Sequence, residues 1–70
     1  MPKLFSSTFI IKVLEKNGFY FVSQKGSHTK YRRNGKTVLT VIIPHPKKEI
    51  PMGTFRSILR QSHLDFEDFQ

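Results

Sequence analysis

The sequence predicts a small α+β domain with two layers, in which two helices cover one face of an antiparallel three-stranded sheet. Two observations support this fold class. Apolar residues recur at helical spacing near both ends of the 70-residue chain, and three short segments rich in aromatic and β-branched residues lie between them. A chain of this length is expected to form a single domain, residues 1–70, with a small core.

The first helix is predicted over residues 7–17. Either Ser6 or Ser7 can cap its first N–H groups with a hydroxyl. Gly18 stands where a glycine in the left-handed conformation commonly ends a helix. The apolar residues that follow the i, i+3, i+4 spacing and are expected to face the core are Ile10, Val13 and Leu14.

Three strands are predicted between the helices, over residues 19–23, 29–33 and 36–43. Residues 24–27 form a turn between the first two strands. Asn34-Gly35 joins the second and third strands, and this pair favours a two-residue hairpin of type I′. Pro44 ends the third strand because it has no N–H to donate to the sheet.

The second helix is predicted over residues 54–62, after a loop over residues 44–51 that contains three prolines. Its apolar stripe consists of Phe55, Ile58 and Leu59. A short final turn over residues 65–69 has Asp65 as its cap. The side chains expected to close the core there are Leu64, Phe66 and Phe69. The order α-β-β-β-α is also that of double-stranded-RNA-binding domains, an analogy that concerns fold alone.

The charge of the chain is unevenly distributed. The net charge is +7 and the pI about 10.2, yet residues 25–48 carry seven Lys or Arg and no Asp or Glu. Three of the acidic residues, Asp65, Glu67 and Asp68, lie at the C-terminal end. A basic segment of this kind indicates an anionic partner, for which nucleic acid is the first candidate and an acidic protein the second. A solvated charged surface without a partner is the third interpretation.

Composition excludes several classes of function. The absence of cysteine rules out disulfides and thiolate metal sites. No apolar run approaches the ~18 residues of a membrane helix, and the N-terminal residues do not resemble a signal peptide. The three histidines are not at metal-ligand spacing, and so small a chain has little room for a large cofactor. We therefore expect a cytoplasmic protein that uses no cofactor and no metal.

His28 is the strongest candidate for a catalytic residue. Because side chains alternate along a strand, His28, Lys30 and Arg32 are expected on one face and Tyr31 on the other, against the helices. A histidine can accept a proton near neutral pH, as RNA cleavage requires at the 2′-hydroxyl. Nearby cations, including Lys25, could stabilise charge on the phosphate. The alternative is an ordinary surface histidine at the end of a strand.

Other residues have two interpretations each. Ser27 could cap the turn or bind phosphate through its hydroxyl. His45, between two prolines, could be a second acid or base, or a loop residue without chemistry. His63 is expected to serve the end of the second helix. Arg56 and Arg60 lie one turn apart and could either grip phosphates or solvate a helix face.

The predicted hairpin creates a conflict on the His28 face. A two-residue loop at Asn34-Gly35 pairs Lys30 with Leu39 and His28 with Val41, which places aliphatic side chains on the outward face. An apolar strip of this kind is unusual on a monomer. Either a β-bulge shifts the register, or a partner covers the face and binds Leu39 and Val41.

Several motifs, in order, carry a resemblance to a known family. They are residues 14–19 (LEKNGF), residues 24–28 (QKGSH) with Lys30-Tyr31, residues 44–46 (PHP), residues 48–51 (KEIP), Gly53-Thr54, and residues 58–61 (ILRQ). With this spacing, the chain resembles the HicA toxin family from about residue 9 to residue 69. Each piece alone is weakly specific, whereas the ordered set is strongly specific.

The resemblance implies a fold similar to a double-stranded-RNA-binding domain and an mRNA interferase activity within a type II toxin–antitoxin pair. It also implies a HicB-type antitoxin as partner, and it places the family's catalytic histidine on His28. The chain departs from the family pattern at Lys47, where Gly or Asn is frequent, and at His63, where glycine is usual. Its third strand also looks about two residues longer than usual.

Two main hypotheses follow. The first is a metal-independent ribonuclease that acts on mRNA, with His28 as general base or acid. Its RNA contacts would be Lys25, Ser27, Lys30, Arg32, Arg56 and Arg60. The second is a non-catalytic RNA-binding module of the same fold. A third and weaker hypothesis is that the basic charge serves only to dock an acidic antitoxin.

Overall fold

The computed structural model describes residues 3–70 and confirms the predicted α+β class. Three antiparallel strands form one sheet in the order β1-β2-β3. The elements, in chain order, are α1 (Ser7–Lys16), β1 (Tyr20–Lys25), β2 (His28–Arg33), β3 (Leu39–Pro44), α2 (Met52–Ser62) and a 3₁₀ helix α3 (Phe66–Phe69). Within residues 3–70, no helix combines the length and apolarity needed to cross a membrane.

The ends of α1 form as the sequence predicts. The hydroxyl of Ser6 accepts a hydrogen bond from the backbone N–H of Phe9 at 3.1 Å and so caps the first turn. Asn17 follows the last helical residue, and Gly18 has a φ of +90°. Ile10 and Leu14 are fully buried, which confirms the apolar face.

The core lies between the helices and one face of the sheet, called here the inner face. Tyr31 of β2 is buried on this face, as predicted. Burial, together with the carboxylate of Glu15, raises the pKa of the Tyr31 hydroxyl above its ordinary value. β3 contributes the buried aliphatic residues Leu39, Val41 and Ile43, and α2 contributes Phe55 and Ile58.

The predicted register between β2 and β3 is wrong. Arg33 pairs with Leu39 rather than with Lys36, so the connection is the five-residue loop 34–38 and not a two-residue hairpin. The aliphatic residues of β3 therefore lie opposite the inner-face residues of β2. Val41 is fully buried opposite Tyr31, instead of standing opposite His28. A shift of the register by an odd number of residues moves every side chain of β3 to the other face of the sheet. Burial of the aliphatic side chains of β3 therefore outweighs the preference of Asn34-Gly35 for a tight turn.

The expectation that Leu39 and Val41 offer a surface to a partner is also wrong. Both are core residues, with 8% and 0% of their surface exposed. The aliphatic strip that prompted this expectation faces the helices. No partner is needed to cover it.

The tight hairpin of the sheet lies instead between β1 and β2. Lys25 pairs with His28, which leaves Gly26 and Ser27 as a two-residue loop. Gly26 has a φ of +59°. A positive φ at the first loop residue is the requirement of a type II′ turn, so glycine is needed here for the backbone alone.

The C-terminal segment closes one end of the core with aromatic side chains. Phe69 is buried, and its ring centroid lies 5.0 Å from that of Phe55 and 6.1 Å from that of Phe5. Phe66 remains 41% exposed, so it covers the core less fully than predicted. A reciprocal capping box between Asp65 and Asp68 confirms the predicted start of α3.

Replacing His63 with glycine is expected to stabilise the protein by about 1 kcal/mol. His63 ends α2 in the left-handed conformation with a φ of 60°, where a Cβ is strained and glycine is not. In a domain of this size the gain corresponds to a rise in Tm of roughly 4–8 °C, measurable by calorimetry. His63→Ala keeps the Cβ and should show no such gain, and an equal rise in that control would contradict the explanation.

Candidate nucleic-acid interface

The sheet face opposite the helices, called here the outer face, carries the predicted site residues. Its side chains stand in three rows of directly paired residues, and paired residues share a face. The first row is Lys25, His28 and Pro44; the second is Ser23, Lys30 and Ile42; the third is Tyr20, Arg32 and Thr40. The structure therefore brings together His28, Lys25, Lys30 and Arg32 on one face.

His28 is held at the exit of the tight hairpin. It is the first residue of β2, and its side chain is exposed. Gly26 and Ser27 turn the chain, and pairing with Lys25 on one side and Pro44 on the other fixes the backbone of His28 in the middle strand. The exposed imidazole therefore stands at the start of the middle strand, directly across from Lys25 of β1.

The two cations that follow on β2 are half-buried on the same face. Lys30 and Arg32 alternate with the buried residues Thr29 and Tyr31, whose side chains point into the core. The Nε atom of Arg32 is buried without a hydrogen-bond partner among residues 3–70. By contrast, the guanidinium of Arg33 is engaged within the domain, because its Nη1 atom donates to the Asn17 carbonyl at 3.2 Å.

The backbone beside His28 is tied to the loop after β3. The N–H of His45 donates to the carbonyl oxygen of Ser27 at 2.7 Å. The Nδ1 atom of His45 lies 2.7 Å from the hydroxyl of Ser7, the first residue of α1. A chain of contacts therefore runs from α1 through His45 to the residue immediately before His28.

Ser7 is the centre of this chain of contacts. Its hydroxyl accepts from the backbone N–H of Lys47 at 2.9 Å and lies 3.1 Å from the Lys47 carbonyl. That carbonyl also accepts from the backbone N–H of Ser7 at 2.9 Å. With only 1% of its surface exposed, Ser7 binds the loop to α1 away from water. We call Ser7, His45 and Lys47, with these contacts, the loop clamp.

The contacts of the loop clamp fix the side of the sheet on which His45 lies. Pro44 lies opposite His28, and His45 is the next residue along the chain, so their side chains alternate and the His45 ring lies on the side of α1. The imidazoles of His28 and His45 consequently lie on opposite sides of the sheet. These contacts favour a structural role for His45 over that of a second acid or base.

Two other predicted site residues lie away from the outer face. Arg56 and Arg60 are exposed on α2, in the layer that covers the inner face. The Nη2 atom of Arg60 donates to the hydroxyl of Ser57 at 3.3 Å. Ser27 is exposed at the hairpin tip, next to His28, and its carbonyl is engaged by His45.

Tyr20 is a residue of the outer face that sequence reasoning missed. A β-bulge between Phe21 and Ser23 shifts the pairing of β1, so that Tyr20 stands opposite Arg32 and Phe21 opposite Tyr31. In a regular strand without the bulge, Phe21 rather than Tyr20 would stand opposite Arg32. The bulge leaves no distinct signal in the sequence, because any residue can occupy it.

Across residues 3–70, no group of three or more His, Asp or Glu side chains has an arrangement that could hold a metal ion. The outer face itself carries one imidazole, two ammonium groups, one guanidinium and one tyrosine hydroxyl, from His28, Lys25, Lys30, Arg32 and Tyr20.

A family model described as "HicA toxin of bacterial toxin-antitoxin" matches residues 9–64, which is most of the chain and includes every strand and both α-helices in large part. The chain belongs to the HicA toxin family. A search of curated proteins finds no match. As a HicA toxin, the protein is expected by its family to act in a toxin–antitoxin system together with a cognate antitoxin.

The matched segment of the HicA family spans the outer face completely. It contains the hairpin that presents His28 and also His45, while Ser7 lies just outside it. The family match confirms the predicted membership of the HicA family. The exposure of His28 and its pairing with Lys25 agree with the predicted placement of these residues.

Proposed function

We propose that this HicA toxin is a metal-independent endoribonuclease that cleaves mRNA with His28 as its catalytic residue. The observation that supports this most directly is the placement of an exposed imidazole in the same row as Lys25 and one row from Lys30. A general base and a cation are thereby available to one phosphodiester on an open surface.

The proposed reaction is an attack by the adjacent 2′-oxygen of the RNA. His28 accepts the proton of the 2′-hydroxyl, the 2′-oxygen forms a bond to phosphorus, and the bond from phosphorus to the 5′-oxygen breaks. The leaving 5′-oxygen takes a proton from solvent, because His28 is the single imidazole among the nine outer-face residues. The products are a 2′,3′-cyclic phosphate and a 5′-hydroxyl.

The cations of the outer face would stabilise the charge that develops on the phosphate. Lys25 pairs directly with His28, and Lys30 and Arg32 continue along the same strand. No acidic residue occurs between Glu15 and Glu49, so this field is not neutralised by the local sequence. Ser27 at the hairpin tip is proposed as a further phosphate contact.

Arg56 and Arg60 are proposed as contacts for RNA that extends beyond the sheet. They are exposed on α2, on the other layer of the domain. A HicB-type antitoxin is proposed to inhibit the toxin by covering the outer face. Since Leu39 and Val41 are buried, it would do so through the polar and cationic side chains around His28.

The proposed function is tested by incubating the isolated toxin with mRNA in the presence of EDTA. Cleavage is expected in EDTA because no step of the proposed reaction needs a metal ion. Expression of the toxin in cells is expected to arrest their growth. Salt-sensitive RNA binding without cleavage or toxicity would instead identify a non-catalytic RNA-binding module. If the isolated chain bound the antitoxin but no RNA, its basic charge would serve antitoxin docking alone.

Removing a cation from the outer face is expected to weaken RNA binding at every sequence and to reduce its salt dependence. For single strands, each phosphate contact contributes about 0.7 to the slope of log K against log salt. Lys30→Ala and Arg32→Ala should each lower the slope by roughly this amount, as measured by titration at several salt concentrations. Lys12→Ala removes an equal charge from α1, and an equal loss of slope in that control would contradict the assignment.

A further inference from the structure

Tyr20 occupies the end of the outer face farthest from His28. It is exposed over 44% of its surface, although it belongs to a strand and pairs directly with Arg32. Arg32 lies four positions after His28 along β2, which corresponds to about 13 Å. An aromatic ring and a guanidinium thus stand together roughly two rows away from the imidazole.

The Tyr20 side chain is hydrogen-bonded to the neighbouring loop. The amide group of Asn34 donates a hydrogen bond to the Tyr20 hydroxyl at 3.0 Å. A ring held at its tip loses little further freedom when a flat ligand packs on it, which lowers the cost of binding. The adjacent Arg32 has a buried Nε atom with no partner among residues 3–70.

Charge indicates the kind of ligand that such a surface would take. Between the aromatic ring and His28 lie only uncharged or cationic side chains, with Lys30, Arg32 and Lys25 as the cations. Proteins that bind single-stranded nucleic acid combine a basic track for the backbone with aromatic side chains on which bases stack. A paired base in a duplex does not offer its face to a side chain in this way.

We propose that Tyr20 is a stacking platform for an unpaired base of the RNA, with Arg32 holding the adjoining phosphate. The RNA then lies across the outer face from Tyr20 to His28, and the stacked base sets which phosphodiester reaches the imidazole. Tyr20 is a substrate-binding residue in this arrangement and takes no part in the chemistry. The proposal rests on the proposed ribonuclease function, because it uses the same face and the same substrate.

Binding to a short single-stranded RNA, made non-cleavable by 2′-deoxy substitution, tests the platform. Tyr20→Ala is expected to weaken binding roughly 5- to 150-fold, the range for the loss of one stacked base. Tyr20→Phe keeps the ring but loses the hydrogen bond from Asn34, so its affinity should lie between those of Tyr20→Ala and wild type. Phe21→Ala is the matched control, since Phe21 is 53% exposed but lies beside Tyr31 on the inner face.

A direct reporter comes from Tyr20→Trp, because the chain contains no other tryptophan. Stacking of a base should quench its fluorescence when the single-stranded RNA is added, and the same RNA in a duplex should quench much less. Equal affinity of Tyr20→Ala and wild type for the single strand would overturn the proposal. Equal losses of affinity for the single strand and for the duplex would also overturn it. A loss of affinity for the antitoxin alone would have the same consequence.

The failure of the platform and the failure of the ribonuclease function give different results. If Tyr20→Ala binds normally while wild type cleaves and His28→Ala does not, the platform is wrong and the ribonuclease function stands. If Tyr20→Ala binds weakly but wild type never cleaves RNA, the outer face binds single strands without catalysis.

Discussion

Replacing His28 with alanine is expected to lower the rate of RNA cleavage by about 10²–10⁴-fold, the usual contribution of a general base. RNA affinity should change little, because the cations of the outer face remain. Stability should also be nearly unchanged, within about 0.5 kcal/mol, since the side chain is exposed at the end of a strand. Single-turnover cleavage and binding of a 2′-deoxy analogue measure the two effects separately.

The matched control for this variant is His63→Gly, which removes a histidine from the end of α2. It should cleave RNA as fast as wild type. Cells that express His28→Ala should grow normally, whereas His63→Gly should remain toxic. Cleavage by His28→Ala at the wild-type rate would show that the imidazole is not the catalytic group.

Replacing Ser7 with alanine is expected to lower the free energy of unfolding by about 1–3 kcal/mol, the cost of leaving buried polar groups unsatisfied. Ser7 is almost fully buried, and its hydroxyl contacts both His45 and the Lys47 backbone. Loosening the loop clamp should also slow cleavage, because His45 holds the carbonyl of Ser27 beside His28. Calorimetry measures the first effect and single-turnover cleavage the second.

Ser57→Ala provides the matched control, since it makes the same chemical change within α2. The Ser57 hydroxyl lies 3.4 Å from the Gly53 carbonyl, and its contacts are exposed, so little stability should be lost. Cleavage should be compared at a temperature at which all variants are fully folded. If Ser7→Ala were as stable as wild type, the stabilising role of the loop clamp would be contradicted. If Ser7→Ala were destabilised but cleaved RNA at the normal rate, the loop clamp would stabilise the fold without affecting catalysis.

The parts of the fold governed by local pattern were predictable from the sequence. Alternation along β2 placed His28, Lys30 and Arg32 on the exposed side and Tyr31 in the core. Gly18 marked the end of α1 because only a short list of residues adopts the left-handed conformation there. These features depend on residues that are close together in the chain, so they could be predicted from a single sequence.

The features that depend on distant contacts were not predictable. The register of β3 is decided by the burial of its aliphatic side against α2, which overrides the turn preference of Asn34-Gly35. The loop clamp joins Ser7 to His45, 38 positions apart in the chain. The face on which Tyr20 lies depends on the bulge in β1, for which the sequence has no marker.

The chemistry of the RNA ends tests the central claim most directly. Toxin, RNA and EDTA are incubated together, and the new ends are analysed. The proposed mechanism predicts 2′,3′-cyclic phosphate and 5′-hydroxyl ends from the wild type, none from His28→Ala, and no cleavage next to a single 2′-deoxy nucleotide. Products with 5′-phosphate and 3′-hydroxyl ends, or cleavage at the 2′-deoxy position, would contradict a reaction in which His28 activates the 2′-hydroxyl.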